Sequence, residues 1–362
     1  MPVQTVMPIE RIPDWEQRLA RVDAFWANEI LDRPVVLMRV GAPNPAYPWP
    51  TPKAWGSLRE RWMDAEYVAE CALASVMNTE YLGDALPGVI PNLGPEVFSA
   101  FFGCELEFGE GTTWSIPNLL DWADTGHIRF SEDNVYWRKI MEMTDALLAV
   151  GQGVFYTGIT DLHPGADAIV AFRDPLNMNL DMIDAVDEVR TMLEMVTDTY
   201  FHVYDTYYDK LAAAGQAITS WPGIITRKKW YVPSNDFSCM VSKAMFDDLF
   251  LPGIIRECNH MEANIYHLDG PGALQHLDSL LAIPSLNAIQ WVYTAGVSRA
   301  SEWIPLYQKC QAAGKGLQLT LDLDELDLFI DSLKPNGVFL TVNGVTDRAM
   351  GEAVLKRVAQ WR

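Results

Sequence analysis

Basic residues are scarce in this sequence: 27 Lys and Arg stand against 48 Asp and Glu in 362 residues, a formal net charge of -21. That balance repels phosphate backbones and anionic lipid surfaces, so neither a nucleic-acid nor a membrane partner is expected. Cysteine is scarcer still. The five cysteines (Cys71, Cys104, Cys239, Cys258, Cys310) are scattered and form no Cys-x-x-Cys pair, which argues against a zinc ribbon or a disulfide framework and for reduced thiols in the cytoplasm. No run of about 18 apolar residues occurs, and Met1 to Glu10 holds no basic stretch followed by an apolar one, so membrane insertion and secretion are not expected either. The Gly-x-Gly-x-x-Gly turn, the Gly-x-Ser-x-Gly elbow, the phosphate-binding Gly-x-x-x-x-Gly-Lys-Ser/Thr loop and the His-Glu-x-x-His helix are all missing. Their absence removes the commonest nucleotide-dependent and hydrolytic readings.

What is present is ordinary globular material, 49% hydrophobic and 21% charged, arranged in a regular alternation. Ile9 to Ala27 has helical spacing, Val35 to Val40 is a short apolar run, and Ala65 to Tyr81 is helical again. Pro87 to Asp121 reads as an elaborated loop or a small β insertion. The spacing then predicts a helix over 131–150 capped within Ser131 to Asn134, an apolar run over 154–161, a helix over 184–211 and strand-like runs at 217–221 and 235–240. A helix capped by Ser242 follows, then strands at 264–269, 288–292, 317–321 and 338–342. Strand and helix in such alternation imply a parallel sheet, and about eight units favour a (β/α)8 TIM barrel over an open doubly wound sheet. With no Pro/Gly/Ser linker, the expectation is a single α/β domain over 1–362, with an N-terminal helical extension to about residue 33 and loop elaborations at the barrel mouth.

In a parallel barrel the strands finish on one rim, so polar residues just past each apolar run share a pocket. Those positions hold Asp84, Asp161 with His163, Trp221, Asp236, His267 with Asp269, and Gln290 with Trp291. His267 and Asp269 stand two apart on one strand and project to the same face. They could form a general acid/base pair, ligate a divalent metal, or only brace the next loop. Asp161-x-His163 resembles a cobalamin-binding Asp-x-His-x-x-Gly, but Ala166 occupies the place of its glycine, and the pair reads better as a barrel-mouth loop open to substrate. Tyr156, Trp221 and Trp291, with Phe155, Trp230, Tyr231 and Tyr293, could wall an apolar or aromatic ligand or pack the core.

As a set, Asn235 to Pro252, Tyr266 to Gly270 with His276 to Asp278, and Ile289 to Trp291 resemble the uroporphyrinogen decarboxylase superfamily. The superfamily's barrel also hosts zinc-dependent corrinoid methyltransferases. Gly83-Asp84 falls where the decarboxylases carry an acid for the pyrrole nitrogens. The arginine-rich opening that grips porphyrinogen carboxylates is reduced to Arg39, and the family's His-x-Cys zinc pair becomes His267-x-Asp269, with Asn343 near the position of the second cysteine. The resemblance implies an enzyme that removes a methyl group from a small substrate, such as a methoxylated aromatic compound, and delivers it to a separate corrinoid (cobalamin) protein. His267, Asp269, Asp84 and Asp236 would be catalytic, with His267 and Asp269 as metal ligands, zinc being the expected ion. Tyr156, Asp161, His163, Trp221, Trp291 and Asn343 would contact substrate. The alternatives are a decarboxylase or lyase acting on a small carboxylate, and a catalytically silent ligand-binding barrel. Assembly as a homodimer is left open.

Overall fold

Most of the apolar runs become strands and the longer amphipathic stretches helices. The computed structural model describes residues 6–293 and 298–361. Its strands are β1 (Val35–Gly41), β2 (Thr79–Gly83), β3 (Gly88–Val89), β4 (Glu105–Phe108), β5 (Thr113–Ile116), β6 (Tyr156–Thr157), β7 (Ile218–Thr219), β8 (Ile225–Thr226), β9 (Trp230–Tyr231), β10 (Ala263–Asp269), β11 (Ala288–Val292), β12 (Gly316–Asp322) and β13 (Val338–Asn343). Seven of them form one sheet in the order β2-β1-β13-β12-β11-β10-β9, parallel throughout except that β2 runs antiparallel to β1. β3 pairs with β6 in parallel, while β4 with β5 and β7 with β8 form antiparallel pairs. The architecture is mixed α/β with a mostly parallel central sheet. The expected small β insertion is the β4–β5 hairpin.

Register shows what each face carries. His267 pairs with Gln290, Gln290 with Gln318, Gln318 with Phe339, and Thr320 with Thr341, which itself meets Leu37. Because side chains alternate, these residues share one face. At the amino ends of the strands that face is apolar: Phe339 meets Phe25 at 5.4 Å and Trp230 meets Trp26 at 5.8 Å, both partners coming from the helix Trp15–Trp26. The Trp26 indole N–H is held by Thr226 Oγ1 at 3.2 Å. Above this plug the face turns polar, with His267, Gln290 and Gln318 side by side, and at the carboxyl ends it is acidic, with Asp269 and Asp322.

The helix Val135–Gly151 starts where predicted, because the Asn134 side chain accepts the N–H groups of Tyr136 and Trp137. Ser242 caps its own helix by accepting from Met245. Among the described residues, no helix is long and apolar enough to cross a membrane.

Candidate active site at the carboxyl ends of the strands

His267 and Asp269 project from β10 on the same face, as their spacing predicts. The His267 Nδ1 lies 2.6 Å from Gln290 Oε1. With a carbonyl oxygen as acceptor, Nδ1 donates, which leaves Nε2 turned to the pocket. The ring is further fixed by Trp221, which packs edge-on at 4.9 Å and 89°. Nε2 faces Asp236 Oδ1 at 3.8 Å.

Asp236 reaches this point through a local structure that differs from the expected strand over 235–240. Asp236–Met240 is a turn of 3-10 helix. Asp167, in the first turn of the helix Ala166–Arg173, accepts the backbone N–H groups of Asp236 at 3.0 Å and Phe237 at 2.9 Å, and a chain held there cannot run extended. Gly272 lets the turn sit low over the loop after β10, since a Cβ there would lie 2.9 Å from the Cys239 carbonyl oxygen.

A second imidazole flanks the same acid. His163 Nε2 lies 2.9 Å from Asp161 Oδ1 as an ion pair, while Nδ1 lies 3.1 Å from Ser234 Oγ and 3.9 Å from Asp167 Oδ2. The loop is pinned by the Tyr231 phenol, which donates to the Thr160 carbonyl at 2.8 Å and accepts from the Leu162 N–H at 2.7 Å. Burial acts to lower the His163 pKa, but the carboxylates of Asp161 and Asp167 outweigh it and hold the imidazole well above its ordinary value. Burial, then the charge of Asp167, pushes the Asp236 carboxyl up to about 6; Asp269 adds to this, against the pull of His163 and His267. Burial and the charges of Asp236 and Asp269 also raise the Cys239 thiol.

Two sets of ligand atoms each lie within 4.8 Å of one another: Asp236, His267 and Asp269, and His163, Asp167 and Asp236. A cleft of about 290 Å³ opens beside His163, Asp167 and Asp236, with Phe237, Cys239 and Met240 in its wall. Another, of about 390 Å³, is lined by Gln290, Gln318, Thr320, Asp322 and Asn343 and adjoins the cluster through Gln290.

The structure thus brings together His267, Asp269, Asp236, Asp161, His163 and Trp221, with Asn343 on the rim. It does not bring Asp84 or Tyr156, and Trp291 meets only the adjoining cleft. Asp84 is buried beside the start of β1, accepting from the Val36 N–H at 2.9 Å and paired with Arg33 at 2.5 Å and Arg21 at 2.9 Å. Since β2 is antiparallel to β1, a residue following β2 emerges at the amino rim. Tyr156 is buried, and its hydroxyl donates to the Met7 carbonyl. Trp291 is one residue out of phase with Gln290; it packs edge-on against Trp303 at 4.9 Å and also lines the cleft beside Gln290. Sequence reasoning missed Asp167, whose one available signal was its position four residues after His163, and Cys239, which had none.

No family model and no curated protein matches the chain. A methyltransferase from Methanosarcina mazei superposes with a TM-score of 0.61 at 11% identity, over 94% of this chain and 98% of that one. The chain shares that fold. Macrophomate synthase, 13% identical over 81% of this chain and 86% of that one, reaches a TM-score of only 0.23.

Proposed function

We propose that this chain is a methyltransferase, built as a closed (β/α)8 barrel, that takes a methyl group from a small substrate such as a methoxylated aromatic compound and passes it to a separate corrinoid protein. The observation that carries the reading is the convergence of His267 Nε2, Asp269 and Asp236 at the carboxyl rim of a fold shared with a methyltransferase. One imidazole nitrogen and two carboxylate oxygens make a donor set that suits zinc or another first-row divalent ion. Such an ion, when bound, supplies Lewis acidity to the substrate oxygen.

The chain's own residues do the rest. Gln290 holds the His267 tautomer, with Nε2 free, and Trp221 holds the ring plane. The amide and hydroxyl groups of Gln318, Thr320 and Asn343 offer hydrogen bonds to a polar substrate in the adjoining cleft, while Phe237 and Met240 wall the other side. As the methyl carbon–oxygen bond breaks, its electron pair stays on oxygen while the corrinoid cobalt supplies the pair for the new bond. The partner must therefore dock at the mouth. A decarboxylase using Asp84 to stabilise a developing cation draws no support, because that carboxylate is at the opposite rim, matched by two arginines.

The test is to mix the purified chain with a reduced corrinoid protein and a panel of methoxylated and methylated compounds, following the corrinoid absorption spectrum. Methylation that depends on one compound and is lost in His267→Ala is expected. Carbon dioxide release with no corrinoid protein present would point to the decarboxylase instead.

A further inference from the structure

The mouth holds more negative charge than one cation can balance. Asp161, Asp167, Asp236 and Asp269 crowd together here, and among the described residues none of them is paired with a lysine or arginine; Asp161 and Asp167 pair with His163 and Asp236 with His267. Elsewhere in the molecule acids are matched by fixed cations, as in Asp84 with Arg21 and Arg33, or Asp181 with Arg173.

The two histidines are also arranged alike. Each sets one ring nitrogen against a fixed oxygen, His267 Nδ1 in a hydrogen bond with Gln290 and His163 Nε2 in an ion pair with Asp161 at 2.9 Å. Each turns the other towards the shared acid, since His267 Nε2 faces Asp236 and His163 Nδ1 belongs with Asp167 and Asp236. An imidazole anchored through one nitrogen by a carboxylate or carbonyl oxygen, with the other free, is the usual form of a metal-binding histidine.

We propose that the pocket binds two divalent cations bridged by Asp236, one on His267 and Asp269, the other on His163 and Asp167. The second site rests on the metal reading given above for the first. Asp161 is then the outer partner that orients His163, as Gln290 orients His267. Two doubly charged ions neutralise four carboxylates. The Ser234 hydroxyl, 3.1 Å from His163 Nδ1, gives up that contact when the ion binds. Carboxylate-bridged ion pairs are suited to clamping an oxygen that gains charge as its bond breaks. Substrates carrying two neighbouring oxygens, such as a methoxyl beside a hydroxyl or carboxylate, are the class that would span both ions.

The experiment uses the full chain, stripped with chelator and titrated with manganese(II) under calorimetry and electron paramagnetic resonance. Two equivalents and the spectrum of a spin-coupled manganese pair are expected in the unmodified protein. His163→Ala should keep one equivalent and show an isolated six-line signal, and His267→Ala should likewise lose one. Asp167→Asn, which retains an oxygen acceptor for a backbone N–H, should weaken the second equivalent alone. One equivalent in the unmodified protein, abolished by His267→Ala and untouched by His163→Ala, would overturn the second site and leave the first standing. No bound manganese at all would sink both. Two equivalents with no spin coupling would remove the Asp236 bridge.

Discussion

Acidic residues are buried or crowded at both rims of the sheet, and the two rims treat them in opposite ways. At the amino rim Asp84 meets Arg33 and Arg21, with a backbone N–H completing its shell. A cleft of about 630 Å³ lies there, yet of the arginines lining it Arg21, Arg33 and Arg348 are already committed to Asp32, Asp84 and Glu80. At the carboxyl rim the acids face one another and two imidazoles, and the Asp236 carboxyl is pushed up to about 6. A charge matched by a fixed partner holds a structure together, whereas an unmatched one is available to a ligand. A larger cleft is therefore a poorer guide to function here than an unbalanced one.

The contrast can be broken most severely at Asp84. Asp84→Ala strands the buried Arg33 guanidinium and leaves Arg21 with Asp32 alone, so a loss of about 3–5 kcal/mol is expected in chemical denaturation, with the metal content of the folded fraction unchanged. A change in metal content without a change in stability would reverse the assignment of the two rims.

Glu257 provides a third case, an acid that is buried, forms no ion pair among the described residues and lies outside the His267 cluster. Burial, then the nearby charge of Asp167, pushes its carboxyl from 4.5 to about 8. A raised acid binds its proton more tightly in the folded state, so its contribution is fully present below pH 4.5 and is lost as pH rises towards 8. Folding stability should therefore fall by roughly 1.4 kcal/mol per pH unit across that window through this group. Glu257→Gln should flatten the slope in denaturation curves recorded between pH 5 and 8; an unchanged slope would mean that the side chain is ionised throughout.

Much of the fold was legible because apolar period and turn chemistry are local. β11 lies over Ala288–Val292 as read, β10 and β13 differ from the reading by one residue at one end, and β12 by one residue at each end. The site was legible where one strand carries its own geometry, as with His267 and Asp269. It was not legible where strand direction decides, because nothing near Thr79–Gly83 announces that β2 runs antiparallel and delivers Asp84 to the wrong rim. Alternation already places Trp291 opposite to Gln290, so it meets the adjoining cleft beside that residue rather than the His267 cluster. Asp167 was hidden because its role depends on backbone groups of residues 236 and 237, a contact between distant segments that no local pattern encodes.

Smaller effects sharpen the picture at the mouth itself. Gln290→Leu frees the His267 ring without removing a ligand and should weaken metal binding by about 10–100-fold, measured by calorimetry. Trp221→Ala removes one edge-on ring contact, and a shift in the same measurement of about 1 kcal/mol or less is expected. An effect of Trp221→Ala larger than that of Gln290→Leu would place the anchoring of the ring in packing rather than in the hydrogen bond.

The most direct test of the account is anomalous X-ray diffraction from crystals of the unmodified protein grown with zinc or manganese. The account predicts a strong anomalous peak about 2.0–2.2 Å from His267 Nε2, within reach of Asp236 and Asp269. A map with no such peak, and with Asp236 closed directly onto the imidazole as a simple ion pair, would contradict it.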